Sequence, residues 1–455
     1  MDAPTFDDLR ARSSYFPKSI AASSWTVPSH ASILTGLYPH ELGDFAMARP
    51  EIPESVPTLP EYLRHRGYAT CLLSANRNLR ASIGLTRGFD RALCTRWGVN
   101  SLKPGIRDDH PSDGFGAESL DLIRRRIFAQ HPRGIWKVGA KLTSSMTSYP
   151  LWLDGASRLI QAVRNPGRPY DPRAAPWIED ALESWLSNLP ANIPAFSLIN
   201  LMDCHEPYLP GFDSFAGFTN WFRLARKRQD VRSWAEGRWR PSQEDLRRLR
   251  NLYQNRIRLL DKRVGTMLTA IRNLRDWEST MIVLTSDHGQ AFGEGGHLFH
   301  GYSTDDSIAK VPLLVKWPHN RHGPEMPLSL TSSTDILPTV LAETDIAPRV
   351  PVSGRPLQSL RERPRIEPVY SMTEILPETD GLTGGHRRRY AVTAFVGDRR
   401  VTLRSDERSK PVDFGGEDLS QLRLIAGKLF EGAESLHETE SSFPGLENRL
   451  RAWGY

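Results

Sequence analysis

The sequence predicts an α/β fold, because apolar segments of strand length alternate with segments of helical periodicity along most of the chain. Residues 69–74, 195–202 and 281–285 are short apolar runs of the kind that form buried strands. The predicted helices cover residues 58–66, 176–188 and about 243–273. The second and third strands are followed directly by polar residues, and open α/β sheets bind ligands at the carboxyl ends of their strands.

A hydroxyl stands where a short helix is predicted to begin, in residues 26–36. Pro28 suits the first helical turn, and Gly36 suits the end of the helix. The unsatisfied N–H groups and the dipole at such a helix start can hold a phosphate or sulfate group. Thr26 would then stand beside a bound anion. Taken alone, the segment also allows a capped helix in which Thr26 only satisfies backbone donors.

The segment Ser286-Asp287-His288-Gly289 follows the predicted strand at residues 281–285. A carboxylate from Asp287 and an imidazole from His288 together suit a divalent cation. For an isolated Asp-His-Gly, the alternative is a turn that Asp287 caps.

A third polar segment, Asp203-Cys204-His205-Glu206-Pro207-Tyr208, follows the predicted strand at residues 195–202. His205 is its candidate functional residue, because a histidine titrating near neutral pH can accept and donate protons. A structural histidine is the alternative for this segment alone. The presence of three such segments in one chain favours the functional interpretation.

The three segments resemble the sulfatase branch of the alkaline-phosphatase superfamily. The family's nucleophile motif reads Cys or Ser, any residue, Pro, Ser, Arg, and then a short helix ending in Thr-Gly. This chain has Thr26-Val27-Pro28-Ser29-His30 and, further on, Thr35-Gly36. The segments 203–208 and 286–289 match the family's Asp-x-His-x-Pro-Tyr and Ser-Asp-His-Gly. The resemblance extends over about residues 4–360.

Two residues depart from the family's nucleophile motif. The family's Cys or Ser is oxidised to a formylglycine, which a threonine cannot become, and the family's Arg is His30 here. Threonine nucleophiles occur in phosphodiesterase and phosphotransferase relatives of the superfamily. The resemblance therefore supports the fold more strongly than a sulfatase reaction.

The resemblance also implies an architecture. It predicts a mixed, mostly parallel central sheet flanked by helices, with a small C-terminal α+β subdomain. We place the sulfatase-like catalytic domain at residues 1–360, with a variable insertion or lid at 100–175. The small subdomain then covers residues 361–455, with a hairpin around Gly397-Asp398 and a helical stretch near 418–432.

By resemblance, Asp287, His288 and Thr26 bind one divalent cation. The family favours Ca²⁺, and Mg²⁺, Mn²⁺ and Zn²⁺ are the alternatives. Thr26 is the expected nucleophile, and His30 replaces the residue that steadies it. His205 and His300 are expected to contact the transferring group and the leaving oxygen. His297 is a weaker candidate for the same role.

One family feature has no counterpart before Thr26. Family members open with an apolar strand that ends in one or two metal-binding Asp residues, and the 25 residues before Thr26 contain no such strand. Asp7 and Asp8 lie in a helical pattern with Phe6 and Leu9, which predicts solvent-facing charges. Either the start of the chain is assigned too late, or the metal site is weakened or lost.

Composition agrees with a globular enzyme of 455 residues, of which 39% are hydrophobic. No apolar run approaches the length of a membrane span, and residues 1–4 lack the features of a signal peptide. The cysteines are widely spaced and odd in number, which is typical of free thiols: Cys71, Cys94 and Cys204. These observations predict a cytoplasmic protein.

The net charge is +6, and arginines are concentrated in residues 223–250. Acidic residues interrupt this run, so we expect a solvated helix surface and no nucleic-acid partner. The predicted substrate is an anionic small-molecule, glycan or lipid ester.

The sequence leads to three functional hypotheses. The first is metal-dependent hydrolysis of a sulfate or phosphate ester through Thr26. The second is transfer of a phospho-group to a glycan or lipid, for which residues 100–175 would build the acceptor cleft. The third is a binding protein that kept the fold and lost its metal ligands.

Overall fold

A computed structural model describes the chain in several stretches. These are residues 3–42, 51–76, 78–97, 104–108, 177–206, 208, 234, 239–324, 328–375, 389–404 and 424–425. The predicted insertion at 100–175 lies outside the described residues except for 104–108. Of the predicted helix near 418–432, only residues 424 and 425 are among the described residues. Most of the arginine-rich run before residue 239 also lies outside the described residues.

The helices with described bounds confirm the predicted helical segments to within about two residues. In chain order they are α1 (Pro4–Ala11), α2 (Thr26–Thr35), α3 (Leu59–His65), α4 (Trp177–Asn188), α5 (Gln243–Leu274), α6 (Asp306–Ala309) and α7 (Ile336–Glu343). Capping boxes begin α3 at Thr58 and α5 at Ser242. No helix within the described stretches is both long and apolar enough to cross a membrane.

A four-stranded sheet carries the parallel strand pairs of the α/β core. Its strands are β3 (Ala69–Ser74), β4 (Arg91–Trp97), β5 (Pro104–Asp108) and β6 (Ala195–Asn200), in the spatial order β5-β4-β3-β6. β3 pairs in parallel with β4 and β6, and β5 is antiparallel to β4. Ser74 lies opposite Asn200, so both strands end at one edge and deliver the residues after them to one place.

A second, antiparallel sheet contains β1 (Ser14–Tyr15), β11 (Leu313–Lys316) and β7 (Ile282–Thr285), in the order β1-β11-β7. Thr285 lies opposite Leu313 and Ile282 opposite Lys316. β7 is the predicted strand at 281–285, and Asp287 follows its carboxyl end by two residues.

Helices cover both faces of these sheets. On one face, Val27 and Ala31 of α2 share an apolar cluster with Leu72 and with Phe196 of β6. On the other face, α4 and α5 pack against the four-stranded sheet, and Ile271 of α5 also packs against the sheet that contains β7. The predicted α/β fold, with a mixed sheet between helices, is therefore confirmed.

The remaining described strands form three small sheets. Their members are β2 (Ser19–Ile20), β8 (Ala291–Phe292), β9 (Leu298–Phe299), β10 (Lys310–Val311), β12 (Thr331–Ser332), β13 (Val369–Ile375), β14 (Arg389–Val396) and β15 (Arg399–Arg404). β14 and β15 form the predicted hairpin around Gly397. Tyr370 of β13 contacts Tyr38 edge to face, which joins this C-terminal sheet to the region after α2. The domain division at residue 360 stays a prediction.

The residues before Thr26 differ in part from the sequence prediction. They form α1 and the two-residue strands β1 and β2, although no strand was predicted there. Both strands begin with a polar serine, Ser14 in β1 and Ser19 in β2, so neither is part of the kind of apolar run from which strands are predicted. Asp7 and Asp8 are exposed, as predicted, and Asp8 pairs with Arg12 at 2.9 Å.

A buried ion pair holds the start of α7. Arg365 donates to both oxygens of Asp335, at 2.8 and 2.7 Å, and Asp335 also accepts from the backbone N–H groups of Ser332 and Arg355. Both charged side chains are almost fully buried. Removing one partner of such a pair leaves the other charge buried without compensation.

We therefore expect Asp335→Ala to lower the free energy of unfolding by about 3–5 kcal/mol. Urea denaturation followed by tryptophan fluorescence measures this loss. The matched control is Asp8→Ala, which removes two exposed ion pairs, with Arg12 and Arg272, and should barely move the midpoint. Equal shifts for the two variants would contradict the structural role of Asp335.

Candidate active site

Thr26 is the first residue of α2, so its hydroxyl lies at the start of a helix, as the sequence predicts. Trp25 occupies the capping position, and every side chain from Thr26 to Thr35 is buried. The Thr26 hydroxyl accepts a hydrogen bond from Asn76 Nδ2 at 3.3 Å and donates to the carboxylate of Asp287. Thr26 is thus held between an amide donor and a carboxylate acceptor.

His30 lies one turn further along α2 and connects two strand ends. Its Nδ1 lies 2.9 Å from the carbonyl oxygen of Thr26, and its Nε2 lies 3.3 Å from Nδ2 of Asn200 at the end of β6. On the other side, Nδ1 lies 3.6 Å from Oδ2 of Asp287 after β7. His30 therefore lies between Asn200, the last residue of β6, and Asp287, which follows β7 by two residues.

Asp287 and His288 are fixed by the backbone around them. Ser29 Oγ donates to the carbonyl oxygen of Asp287 at 2.5 Å, and Ser286 Oγ donates to that of His288 at 2.6 Å. His288 Nε2 lies 3.6 Å from Asp287 Oδ2. Gly289 permits the turn, because a Cβ there would lie 2.2 Å from the carbonyl oxygen of Ser307.

His300 is stacked on His288 with ring centroids 4.1 Å apart, and His205 meets its edge at 4.9 Å. The buried Phe299 that precedes it has φ 66°, a left-handed conformation rare for a large side chain. Such backbone strain is typical of functional sites. Its effect here is to turn His300 into the site from the end of β9.

The histidines of the site share one hydrogen-bonding pattern. In each ring Nδ1 faces an oxygen that only accepts, so Nδ1 carries the hydrogen. The four acceptors are the carbonyl oxygens of Thr26 for His30, Glu206 for His205 and Gly289 for His288, and the amide oxygen of Gln290 for His300. Gln290 Nε2 donates to Glu206, which fixes the orientation of that amide. In the neutral rings the lone pair is therefore at Nε2.

The electrostatics of the site favour an ionised carboxylate and a neutral imidazole. Burial opposes ionisation of Asp287, but His288 and His30 outweigh it, so the pKa of this carboxyl lies below its ordinary value. Burial lowers the pKa of His300 well below its ordinary value, and His288 and His205 lower it further. At neutral pH, Asp287 is an anion and His300 is uncharged.

The residues predicted to bind a cation fit that role. Thr26 offers a hydroxyl oxygen, Asp287 an ionised carboxylate and His288 its Nε2, and the 3.6 Å between Asp287 Oδ2 and His288 Nε2 suits two ligands of one ion. Within the described stretches, His205, Glu206 and His300 form a second cluster, with ligand atoms within 4.8 Å of one another. The sequence did not identify Glu206, although it directly follows His205.

The loop after β6 is held by charges from α5. Arg263 donates to Asp203 Oδ2 at 2.6 Å and also pairs with Glu179 of α4, while Arg256 donates to the carbonyl oxygen of Asp203 at 2.7 Å. These contacts place His205 beside His300.

The structure thus brings together all six predicted residues: Thr26, His30, His205, Asp287, His288 and His300. Their individual roles stay predictions. His297, the weaker candidate, pairs with Asp305 at 3.4 Å. The residues that the sequence did not identify are Asn76, Asn200, Glu206 and Gln290. Of these, Asn76 lies in the polar loop after β3, and a polar loop at a strand end was the available signal.

Comparison with known proteins identifies the family. A chain with this fold and a hydroxyl, carboxylate and histidines at the strand ends has the features of a superfamily of ester hydrolases. The sequence model of the sulfatase family matches residues 1–346, and the chain belongs to the sulfatase family.

The relatives are distant. The chain is 25% identical over 355 residues to the choline-sulfatase of Rhizobium meliloti (strain 1021), which covers 75% of this chain and 62% of that protein. It is 25% identical over 329 residues to the iduronate 2-sulfatase of Mus musculus, with 70% and 55% covered. The matched region therefore spans 62% of the length of the first relative and 55% of the length of the second.

A solved structure supports the fold. The phosphonate monoester hydrolase of Agrobacterium radiobacter superimposes with a TM-score of 0.56 at 17% sequence identity. The match covers 96% of this chain and 91% of that one. At this identity the similarity establishes the fold alone.

The hydrogen bonds at Nδ1 predict that His30, His205, His288 and His300 carry their hydrogen on Nδ1 when neutral. Long-range ¹H–¹⁵N correlation spectra of ¹⁵N-histidine-labelled protein distinguish the tautomers, with single His→Gln variants for assignment. His322 is an internal control, because its Nε2 faces Glu343 Oε2 at 3.2 Å and should carry the hydrogen. Hydrogen on Nε2 in the four site histidines would contradict the described arrangement.

Proposed function

We propose that this member of the sulfatase family hydrolyses a phosphate or sulfate ester with Thr26 as the nucleophile and a divalent cation as cofactor. The observation that carries the proposal is the Thr26 hydroxyl at the start of α2, which donates to Asp287 and accepts from Asn76. A helix start adds N–H groups and partial positive charge, which favour an anionic group beside the hydroxyl.

The proposed reaction has two displacements. In the first, Thr26 Oγ forms a bond to phosphorus or sulfur while the bond to the leaving oxygen breaks, and the hydroxyl proton passes to the Asp287 carboxylate. The leaving oxygen departs with the electron pair of the broken bond and takes up a proton from solvent. In the second, water attacks the same atom and loses a proton to solvent, the Thr26 ester bond breaks, and the Thr26 oxygen takes back the proton from Asp287, which restores the hydroxyl and the carboxylate.

A cation held by Asp287, His288 and Thr26 would supply charge that lowers the pKa of the hydroxyl and balances the anionic ester. Ca²⁺ is favoured by the family resemblance, with Mg²⁺, Mn²⁺ and Zn²⁺ as alternatives. The chain's own contribution is orientation. His30 keeps the backbone of Thr26 and the carboxylate of Asp287 in fixed positions.

His205 and His300 are proposed to contact the transferring group. Their rings lie edge to face, and Nδ1 of each is anchored to an acceptor oxygen. A ring protonated at Nε2 donates to an ester oxygen, whereas a neutral ring presents a lone pair there.

Phosphorus is the favoured centre, because a threonine cannot become the formylglycine that sulfatases use. Both named curated relatives are sulfatases, so a sulfate ester is the alternative. The substrate class is an anionic small molecule, glycan or lipid ester, and transfer to a glycan or lipid acceptor in place of water is a variant of the same first step.

We expect Thr26→Ala to lower kcat/KM by at least about 10³-fold, because no other group replaces an attacking oxygen. Thr26→Ser keeps the hydroxyl and should retain measurable activity. The assay uses paired aryl phosphodiester and aryl sulfate substrates with each of the four cations. Thr266→Ala, an exposed change on α5, is the matched control. Full activity of Thr26→Ala would rule out the proposed nucleophile.

A second candidate function, a binding protein without catalysis, is favoured by one observation. Among the described residues, Asp287 is the carboxylate that contacts Thr26, and the other nearby carboxylate, Glu206, contacts Gln290. Such a ligand set holds a cation less tightly than one with several carboxylates.

Calorimetry distinguishes the two candidates. The hydrolase hypothesis predicts cation binding that Asp287→Asn and His288→Ala each weaken by at least about tenfold. The control is Asp306→Asn, which removes an exposed carboxylate paired with Lys310 and should leave the affinity unchanged. If the chain binds none of the four cations and turns over neither substrate, the binding-protein hypothesis replaces the hydrolase.

A further inference from the structure

Asn76 contacts the Thr26 hydroxyl from the loop after β3, and the two displacements described above assign it no role. The residue is buried, with 4% of its surface exposed, and its Nδ2 donates to Thr26 Oγ at 3.3 Å. The Thr26 hydroxyl has one hydrogen, which it donates to the Asp287 carboxylate, so its oxygen accepts from Asn76. An amide N–H is therefore directed at the atom that would form and later break the covalent bond.

The orientation of the Asn76 amide is set by a backbone donor. The N–H group of Asn78 donates to Asn76 Oδ1 at 2.8 Å, and a backbone N–H cannot accept. An amide turned by half a rotation would place two donors against each other at Asn78. The oxygen of the amide therefore faces Asn78, and its NH₂ group faces Thr26.

The backbone of Asn76 is held by the pairing of β3 with β6. The N–H group of Ala75 donates to the carbonyl oxygen of Asn200 at 2.9 Å, which extends that pairing by one residue beyond β3. Ser74 Oγ accepts from the N–H of Asn76 at 3.0 Å and lies 3.1 Å from its carbonyl oxygen. The amide is thus preorganised, and a preorganised donor in a buried site needs no rearrangement when charge develops beside it.

The strength of the hydrogen bond from Asn76 depends on the charge of Thr26 Oγ. In the free hydroxyl this oxygen is a neutral acceptor, and it is also uncharged in a covalent ester. When the oxygen becomes alkoxide-like, the hydrogen bond becomes charge-assisted and about twice as strong. Asn76 would therefore stabilise a transition state in which Thr26 Oγ is negative more than the states on either side of it.

The two displacements differ in the charge that Thr26 Oγ carries. A loose transition state of group transfer has the bond to the leaving oxygen largely broken and the bond to the nucleophile little formed. In the first displacement Thr26 is the nucleophile, so its oxygen carries little of the charge. In the second, water forms a bond to phosphorus or sulfur and loses a proton to solvent. The bond to Thr26 Oγ breaks with its electron pair on that oxygen, which then takes back the proton from Asp287.

We propose that Asn76 is a catalytic residue of the second displacement, in which its Nδ2–H stabilises the Thr26 oxygen as that oxygen leaves phosphorus or sulfur. This inference rests on the proposed function, because it requires a covalent Thr26 ester. It adds the group that assists the release of threonine, whose alkoxide is a poor leaving group because the hydroxyl is a weak acid.

Pre-steady-state kinetics of two Asn76 variants test this role. Asn76→Ala removes the donor, and Asn76→Asp removes it while keeping the shape of the side chain and an oxygen for the N–H of Asn78. The full chain is mixed with the aryl phosphodiester or aryl sulfate and the cation that support its turnover. We expect both variants to release about one equivalent of the aryl alcohol rapidly, and then to turn over at least about 10²-fold more slowly than the unchanged chain.

The covalent ester is a readout that a merely structural role would not change. After acid quenching, mass spectrometry of the peptide that contains Thr26 should find the transferred group on most chains of each variant and on few unchanged chains. The decrease in kcat should exceed that in kcat/KM, because the aryl alcohol leaves before the slowed step. The matched control is Asn188→Ala, which removes an exposed amide on α4 that donates to the carbonyl oxygen of Ser184 and should change neither readout.

The outcomes separate this inference from the function on which it rests. Suppose that Thr26→Ala abolishes turnover, but the Asn76 variants lower kcat and kcat/KM equally and accumulate no ester. The role of Asn76 in the second displacement is then overturned, and the proposed hydrolase stands. An unaltered kcat in both Asn76 variants leads to the same conclusion. If the unchanged chain turns over neither ester, or keeps its turnover without the Thr26 hydroxyl, the proposed function and this inference fall together.

Discussion

The site depends on the position of one imidazole. His30 is tied to its own helix through the carbonyl oxygen of Thr26, and it contacts Asn200 and Asp287 at the ends of strands in two different sheets. Because β6 and β7 do not pair with each other, the contacts of α2 connect their ends. Ser29 adds a hydrogen bond from the same turn of α2 to the backbone of Asp287. The hydroxyl of Thr26 and the carboxylate it faces are therefore positioned by a single helical turn.

The orientation of the remaining histidines follows from elementary hydrogen-bond chemistry. A carbonyl or amide oxygen cannot donate, so each ring that faces one through Nδ1 is fixed in a single neutral tautomer. Glu206 takes part indirectly, because it orients Gln290, whose amide oxygen then orients His300. Burial keeps His300 uncharged at neutral pH, so it adds no positive charge to the site in that state. The start of α2 adds a positive electrostatic contribution beside Thr26.

The sequence predicted the elements whose signals are local. The strand at 69–74 matches β3 at both ends, and α5 ends one residue beyond its predicted range, since apolar periodicity and capping residues are local properties. β1 and β2 were not predicted, because a two-residue strand is defined by its partners and not by its composition. Asp287, His288 and His205 were predicted from motifs at strand ends. Asn200 and Gln290 were not, because a single amide carries no sequence pattern and acquires its role only when the chain folds around His30 and His300.

The charge of the site is set by Asp287 and the histidines around it. An anionic ester brought to Thr26 meets the ionised carboxylate of Asp287, and the histidines around it lower the pKa of that carboxyl without all being charged themselves. Added positive charge would assist the proposed attack by the Thr26 hydroxyl, and this is the physical reason for proposing a cation at Thr26, Asp287 and His288.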